Sequence, residues 1–199
     1  ELHQKFAEYA EQNDKKFFVM YGAAEATARM GYLPADKSLD KIGSMGIAIP
    51  GGRFEIVDGE LIYYGDNVSL GYAECGEDLS KGDERHGKLV TGDLAKVDEE
   101  GFYTIIGRKK RFLKMFGKRV NLQEVEHILR QKFNLADIAV SGVDDSMKIF
   151  ITEKNLSKEI APYLSEKLNL HPAAFKIIVV EEIPKNSSGK IIYSELEKI

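Results

Sequence analysis

The chain has 199 residues, 43% of them hydrophobic, which is enough to bury one moderate core or two small ones. Its 28 basic and 32 acidic residues give a net charge of −4, which argues against a general affinity for polyanions such as nucleic acid. A single cysteine, Cys75, excludes an internal disulfide, and the four histidines lack zinc-site spacing. No apolar run is long enough for a membrane span and no signal peptide is recognisable, so we expect a cytoplasmic protein.

The first hundred residues are predicted to be mostly β, with the pattern of part of a barrel, after a helix over residues 3–12. The apolar residues 17–20 predict a short buried strand. Asp58 and Gly59 separate two alternating segments, which is the strongest short-range signal for a β-hairpin. A second hairpin is predicted with its turn near residues 98–101.

The pattern changes near Lys110, where we place a boundary between residues 1–109 and 110–199. A helix capped by Asn121 and Glu124 is predicted first, followed by strands over 138–143 and 147–152. Ser157 predicts the cap of a second helix, and Pro162 predicts that this helix starts late or bends. A buried strand over 176–180 and an exposed loop over 184–190 complete the prediction. Alternating strands and helices predict a small α/β domain. The predicted fold class is therefore α+β, with a β-rich, barrel-like first part.

Four segments, in this order, resemble the adenylate-forming superfamily of acyl-CoA synthetases, peptide-synthetase adenylation domains and beetle luciferases. They are YGAAEATARM (21–30), GELIYYGDNVSLGY (59–72), TGDLAKVDEEGFYTIIGRKKRFLKMFGKRVNLQEVE (91–126) and IPKNSSGKI (183–191). One such motif would be a weak signal, but four in order are specific.

The resemblance covers nearly the whole chain and assigns its two parts. Residues 1–109 would be the carboxyl-terminal part of the large AMP-binding domain, and residues 110–199 the small mobile carboxyl-terminal domain. The family's phosphate-binding loop should lie before Tyr21 and is absent, and the chain opens at Glu1 rather than at a methionine. We therefore expect a missing amino-terminal domain.

The resemblance assigns a nucleotide pocket to side chains of the first part. Tyr21 would stack on adenine, and Glu25 would help to hold Mg²⁺ on the phosphates through a hard carboxylate oxygen. Asp93 would accept hydrogen bonds from both ribose hydroxyls, and Arg108 would contact the ribose and phosphate side. Without the family, Tyr21 is a core aromatic, Glu25 belongs to the first turn of a helix and Asp93 is a turn residue at a strand edge.

Gly22, Ala23 and Ala24 are the implied substrate contacts, and they depart from the family pattern. A threonine or serine usually stands where Ala24 does, and its hydroxyl would help to hold phosphate or the acyl carboxylate. The alanine pair leaves only backbone donors, which puts full activity in doubt and suggests a roomy acyl pocket beside Gly22.

Lys190 is the implied catalytic lysine of adenylation. A mobile lysine that reaches both the carboxylate and the α-phosphate neutralises charge only when the site is assembled. Small, polar residues 186–189 would let its loop enter a narrow cleft. The alternative is an ordinary solvated lysine, whereas Pro184 excludes a Walker-type phosphate loop.

Residues 108–119 contain seven basic residues and no acidic one. With Phe112 and Phe116 between the cations, this segment could bind single-stranded nucleic acid or simply form a solvated face. The resemblance instead implies a hinge at Lys110 for domain rotation, with catalytic Lys114 and acceptor-side Gly117 facing the acceptor in the second half-reaction. We expect no nucleic-acid partner.

The implied parent is an ATP- and Mg²⁺-dependent acid–thiol ligase, which converts a carboxylic acid to an acyl-AMP and then to a thioester, with coenzyme A as the favoured acceptor. A carrier-loading adenylation domain with a phosphopantetheine acceptor, a non-catalytic nucleotide-binding module and a luciferase-like oxidase remain alternatives. The chain alone is expected to bind ATP weakly and not to adenylate.

Overall fold

The computed structural model describes residues 2–199, which divide into two compact units, the first ending at Lys109 and the second running from Lys110 to Ile199. Both units mix helices and strands, and the predicted α+β class is confirmed. Within the described residues, no helix has the length and apolar character needed to cross a membrane.

Residues 2–109 form one α-helix and seven strands. These are α1 (Leu2–Gln12), β1 (Val19–Ala23), β2 (Ala26–Leu33), β3 (Ile47–Ala48), β4 (Arg53–Val57), β5 (Glu60–Tyr64), β6 (Lys88–Val97) and β7 (Tyr103–Arg108). They form two antiparallel sheets, ordered β1-β2-β3 and β4-β5-β6-β7, which share a core around Met30, Phe54 and Tyr63. An isolated β-bridge between Gly46 and Tyr103 joins the two sheets. Residues 2–109 therefore form part of a barrel, as predicted, and the strands among them do not close into a complete one.

Both predicted hairpins of this unit are confirmed. Asp58 and Gly59 have φ angles of 50° and 81°, so both turn residues are left-handed and β4 and β5 meet through a two-residue turn. The turn between β6 and β7 is closed by the Asp98 carboxylate, which accepts hydrogen bonds from the Glu100 and Phe102 amides at 3.0 and 2.9 Å. Local turn chemistry is sufficient to predict such pairs.

The second unit packs helices on a mixed sheet. Its elements are β8 (Phe112–Met115), β9 (Lys118–Asn121), α2 (Leu122–Phe133), β10 (Ile138–Val143), β11 (Ser146–Ile151), α3 (Ser157–Leu168), β12 (Phe175–Val179) and α4 (Tyr193–Leu196). β10 and β11 are antiparallel, and β12 joins β11 in parallel after the crossover through α3. Leu129 of α2 and Leu164 of α3 are fully buried in the core with Ile149. Asn121 caps α2 as predicted by accepting a hydrogen bond from the Gln123 amide at 2.9 Å.

Two strands that were predicted to be buried are half-exposed. The strand predicted at 17–20 runs instead from Val19 to Ala23, and Met20 is 52% exposed. The strand near 176–180 is β12, in which Val179 is 41% exposed. Each pairs with one strand only among the described residues, so an apolar run at a sheet edge was mistaken for a central strand.

The prediction for the start of α3 is also wrong in detail. Ser157 is the first helical residue rather than the cap, and Pro162 lies inside the helix instead of delaying it. Burial of Ile160 and Leu164 against the sheet offsets the backbone hydrogen bond that the proline cannot donate. Tertiary packing thus overrides the local signal.

Candidate functional site

A cleft of about 610 Å³ opens in the first unit. Its lining includes six of the residues predicted for the nucleotide and substrate site, which are Tyr21, Gly22, Ala23, Glu25, Asp93 and Arg108. They come from β1, from the turn that follows it and from the neighbouring strands β6 and β7. Antiparallel pairing of Asp93 with Arg108 places a carboxylate and a guanidinium side by side at the cleft wall.

The Asp93 carboxylate is the centre of this arrangement and is nearly fully buried, with 5% of the residue exposed. One oxygen, Oδ1, lies 2.8 Å from Arg108 Nε, and the other, Oδ2, accepts a hydrogen bond of 2.5 Å from the Tyr21 hydroxyl. Each carboxylate oxygen has two lone pairs. Asp93 is therefore held in place by the protein and still has acceptor capacity for a vicinal diol.

Thr91 fixes the backbone below this carboxylate, a role that the sequence did not predict. Its hydroxyl donates to the Leu61 carbonyl at 2.7 Å and accepts from the Asp93 amide at 3.1 Å. Its own carbonyl accepts a bond of 3.1 Å from Arg108. The sequence motif Thr91-Gly92-Asp93 does not reveal this role, because the partners of Thr91 lie on the neighbouring strands β5 and β7.

Tyr21 is held as a neutral hydrogen-bond donor. Burial raises the pKa of its phenol far above the ordinary value, and the hydrogen bond to Asp93 raises the pKa further. The ring also contacts Phe54 edge-on, with centroids 6.2 Å apart. The hydroxyl therefore supports Asp93, while the ring contributes to the cleft wall.

Glu25 lies in the tight turn between β1 and β2, so the interpretation as the first turn of a helix is wrong. Its carboxylate accepts a hydrogen bond from the Tyr72 hydroxyl, which is the main reason that the pKa of Glu25 is lowered. The Arg85 guanidinium lies over the Tyr72 ring, 4.5 Å from its centroid. Tyr72 and Arg85 also line the cleft, and sequence reasoning had given neither a role.

No cluster of three or more His, Cys, Asp or Glu side chains within residues 2–199 is placed to hold a metal. Mg²⁺ on nucleotides is usually held by one or two carboxylates together with phosphate oxygens and water, and the Glu25 carboxylate at the cleft is a group that could serve in this way. The lowered pKa keeps this carboxylate ionised under mildly acidic conditions.

The three predicted substrate contacts divide between two hollows. Gly22 and Ala23 line the main cleft and also a second, more open hollow of about 470 Å³, whereas Ala24 lines only the second. A Cβ atom on Gly22 would lie 3.0 Å from the Ala28 carbonyl oxygen, so a larger residue is disfavoured there. The second hollow lies beside Gly22, next to the residues for which substrate contacts were predicted.

In the second unit, Lys190 ends an exposed loop that Asn186 organises. The Asn186 Oδ1 atom accepts hydrogen bonds from the Ser188 amide at 3.1 Å, the Ser188 hydroxyl at 2.8 Å and the Lys190 amide at 2.9 Å. An antiparallel bridge between Lys185 and Ile191 closes the stem. The loop is exposed as predicted, and its backbone has a defined shape.

Lys114 and Gly117 belong to the β8–β9 hairpin. Lys114 is exposed on β8, and Gly117 has a φ of 84° in the turn. The Asp144 and Asp145 carboxylates accept hydrogen bonds from the Lys114 and Phe116 amides at 2.8 and 2.5 Å. The backbone that carries both predicted residues is thereby fixed on its own unit.

Lys110 is exposed and stands between two basic residues that are each paired within their own unit. Lys109 Nζ lies 2.7 Å from the Glu60 carboxylate, and Arg111 Nη2 lies 2.6 Å from the Glu126 carboxylate. Both carboxylates belong to buried residues. Lys110 is the middle residue of a short 3-10 helix, Lys109–Arg111, between these two pairs.

Most of the basic segment 108–119 is occupied by partners within the chain. Besides the pairs of Arg108, Lys109 and Arg111, Lys118 Nζ donates to the Leu168 and Asn169 carbonyls at the end of α3. Internal pairing of these cations favours a structural role for the segment over nucleic-acid binding.

Comparison with known proteins extends these observations. The chain is 28% identical over 200 residues to a 2-succinylbenzoate–CoA ligase of Bacillus cereus (90% of this chain, 40% of the relative) and 27% identical over 199 residues to that of Listeria monocytogenes (96% and 42%). No family model matches the chain. An O-succinylbenzoate coenzyme A synthetase from Bacillus subtilis, in complex with ATP and a magnesium ion, superposes with a TM-score of 0.70 at 25% identity, covering 97% of this chain and 44% of that one.

Over nearly its whole length the chain is similar to these CoA ligases, which fits the resemblance to the adenylate-forming superfamily. It spans about two-fifths of the length of the curated relatives that it matches. The fold of this chain also occurs in an amide bond synthetase from Marinactinospora thermotolerans (TM-score 0.65, 20% identity, 91% of this chain and 41% of that one). The fold alone therefore leaves the acceptor open.

Proposed function

We propose that this chain is part of an ATP- and Mg²⁺-dependent acid–thiol ligase. A carboxylate would attack the α-phosphate of ATP to give an acyl-AMP and pyrophosphate, and coenzyme A would then take the acyl group and release AMP. The observation that carries this proposal is the buried Asp93 carboxylate, held by Tyr21 and Arg108 at the wall of a nucleotide-sized cleft. Relatives named as CoA ligases favour coenzyme A over a phosphopantetheine carrier.

The residues of the cleft fit a nucleotide. Asp93 would accept hydrogen bonds from the ribose hydroxyls, the Tyr21 ring would contact the base and Arg108 would lie on the ribose and phosphate side. Glu25 would ligate Mg²⁺, with Tyr72 orienting its carboxylate. ATP supplies an electrophilic phosphorus with a good leaving group, and Mg²⁺ offsets the charge of the phosphates.

The second unit would serve the two half-reactions with different residues. Lys190 would neutralise charge between the carboxylate and the α-phosphate during adenylation, and Lys114 with Gly117 would face the acceptor during thioester formation. Lys110 would be the hinge of the rotation that exchanges them, consistent with the pairing of Lys109 and Arg111 on either side. The rest of the large domain would lie in the part of the relatives that this chain does not span, and we propose a cytoplasmic location.

The test begins with AMP and ATP·Mg²⁺ binding to the 199-residue chain by calorimetry, together with pyrophosphate release in the presence of carboxylic acids. We expect weak nucleotide binding and no carboxylate-dependent pyrophosphate release by this chain alone, but release by the complete enzyme. Wild-type chain that binds no AMP would contradict the assignment of the cleft. Pyrophosphate release by the chain alone would contradict the assignment of essential groups to a missing domain.

A further inference from the structure

A buried polar cluster in the second unit lies outside the residues that the proposed reaction uses. The Glu126 Oε1 atom accepts three hydrogen bonds, from Arg111 Nη2 at 2.6 Å, from the Val140 amide at 2.8 Å and from the Tyr193 hydroxyl at 2.9 Å. The Arg111 guanidinium also stacks on the Tyr193 ring, 4.0 Å from its centroid. We refer to Arg111, Glu126 and Tyr193 as the Glu126 cluster.

The cluster joins two segments with proposed functions that are far apart in sequence. Arg111 follows the proposed hinge Lys110 directly, and Tyr193 begins α4 just after the stem of the loop that ends at Lys190. The Ile192 amide donates to the Pro184 carbonyl at 2.9 Å, so Tyr193 is attached to both legs of that stem. A bond from Tyr193 to Glu126 therefore fixes the stem on α2.

The energetics of the cluster argue for a role in positioning rather than in stability alone. Glu126 is 7% exposed, and the desolvation cost of burying an ion pair can exceed the attraction between its charges. Arg111 Nε is buried without a hydrogen-bond partner among the described residues, which is a further cost. Burial and the neighbouring Glu126 charge raise the pKa of Tyr193 to about 12, so its hydroxyl stays a donor.

We propose that Arg111, Glu126 and Tyr193 are positioning residues that hold the Lys190 loop in its working orientation and tie it to the segment after the hinge. The functional half of this inference rests on the proposed role of Lys190 in adenylation. Because the loop itself is exposed and small, its orientation depends on how its stem is anchored. The cluster would thus act through Lys190 and not on the substrate.

The first test measures amide hydrogen exchange of residues 185–191 in the 199-residue chain. Tyr193→Phe removes the hydroxyl while keeping the ring on Arg111, and Glu126→Gln removes the charge while keeping the volume. We expect either variant to speed exchange in this loop by about tenfold, the equivalent of one hydrogen bond to a charged group. Tyr163→Phe is the matched control, since this tyrosine packs on Phe133 outside the cluster. Exchange at the wild-type rate in both cluster variants would overturn the proposal.

The second test separates the half-reactions in the complete enzyme. Tyr193→Phe should lower kcat for acyl-adenylate formation by about tenfold, leave KM for ATP unchanged and leave transfer from supplied acyl-AMP to coenzyme A unchanged. Equal loss in both half-reactions would mean a general structural role and would overturn the positioning role. A wild-type enzyme that forms no acyl-adenylate would refute the proposed function, while the exchange measurement would still decide how the loop is anchored.

Discussion

The Tyr21 hydroxyl and the Asp93 carboxylate are joined by a hydrogen bond of 2.5 Å across 72 positions of sequence. Tyr21 lies on β1 and Asp93 on β6, in different sheets of the same unit. This bond connects the two motifs that were assigned separately to base and ribose. A substitution at either residue should therefore affect both parts of the nucleotide contact.

Asp93→Asn should weaken AMP binding to the chain by about 10- to 100-fold, because one acceptor oxygen becomes an amide donor and the charge that pairs with Arg108 is lost. Calorimetric titration with AMP measures the change. Asp36→Asn, at an exposed aspartate of the same unit, is the control and should bind like wild type. Unchanged affinity in Asp93→Asn would remove Asp93 from the site.

Tyr21 should make stability fall at alkaline pH. Because the folded pKa of Tyr21 is raised above the ordinary value of about 10, the folded state binds more protons than the unfolded state between the two values. The free energy of unfolding therefore decreases as the pH rises above about 10. Tyr21→Phe should reduce this decrease when urea unfolding is compared at pH 9 and pH 11.

Tyr9→Phe provides the control for this comparison, since Tyr9 is exposed on α1. It should retain the full wild-type decrease between the two pH values. If Tyr21→Phe also retained it, burial of the Tyr21 phenol next to Asp93 would be contradicted.

Ala24→Thr should strengthen ATP binding by roughly 2- to 10-fold, since it restores the hydroxyl that the family places here and one hydrogen bond contributes about 0.5–1.5 kcal/mol. Ala24 is exposed in the β1–β2 turn, so the larger side chain fits without repacking. Ala24→Val, of equal size but without a hydroxyl, is the control. A similar gain in both variants would point to packing instead.

Lys190→Ala and Lys114→Ala should each slow a different half-reaction of the complete enzyme. Loss of Lys190 should slow adenylation by about 100- to 1000-fold and spare transfer from supplied acyl-AMP, whereas loss of Lys114 should slow mainly the transfer. Pyrophosphate release and thioester formation measure the two steps separately. Lys176→Ala, at an exposed lysine of β12, should leave both unchanged. An equal effect of both substitutions on both steps would contradict the division of roles.

Lys110→Pro should uncouple the half-reactions, because proline locks φ near −65° at the proposed pivot. The overall rate should fall by roughly tenfold or more, while at least one half-reaction assayed alone stays close to wild type. Lys110→Ala keeps the backbone free and is the matched control. Full overall activity in the proline variant would place the hinge elsewhere.

Local chemistry made several elements predictable. Asp58 and Gly59 specify a two-residue turn because both positions need left-handed backbone, and Asn121 starts α2 because its side chain accepts a backbone amide. The predicted strands of 17–20 and 176–180 were misjudged in burial, since a short apolar run does not say how many strands flank it. The late start of α3 that Pro162 suggested is wrong, because packing of α3 on the sheet outweighs one missing hydrogen bond, whereas the alternative of a bend at Pro162 stays a prediction.

By itself, the sequence determined the resemblance to the adenylate-forming superfamily, the α+β class and six of the residues that line the cleft, because motifs and turn residues can be read from short segments. Only the tertiary structure decided that Tyr21 supports Asp93, that Glu25 lies in a hairpin turn beside Tyr72, and that Glu126 joins Arg111 to Tyr193. Each of these contacts joins residues on different elements. Their geometry follows from sheet register and helix packing, which depend on the whole unit rather than on any one segment.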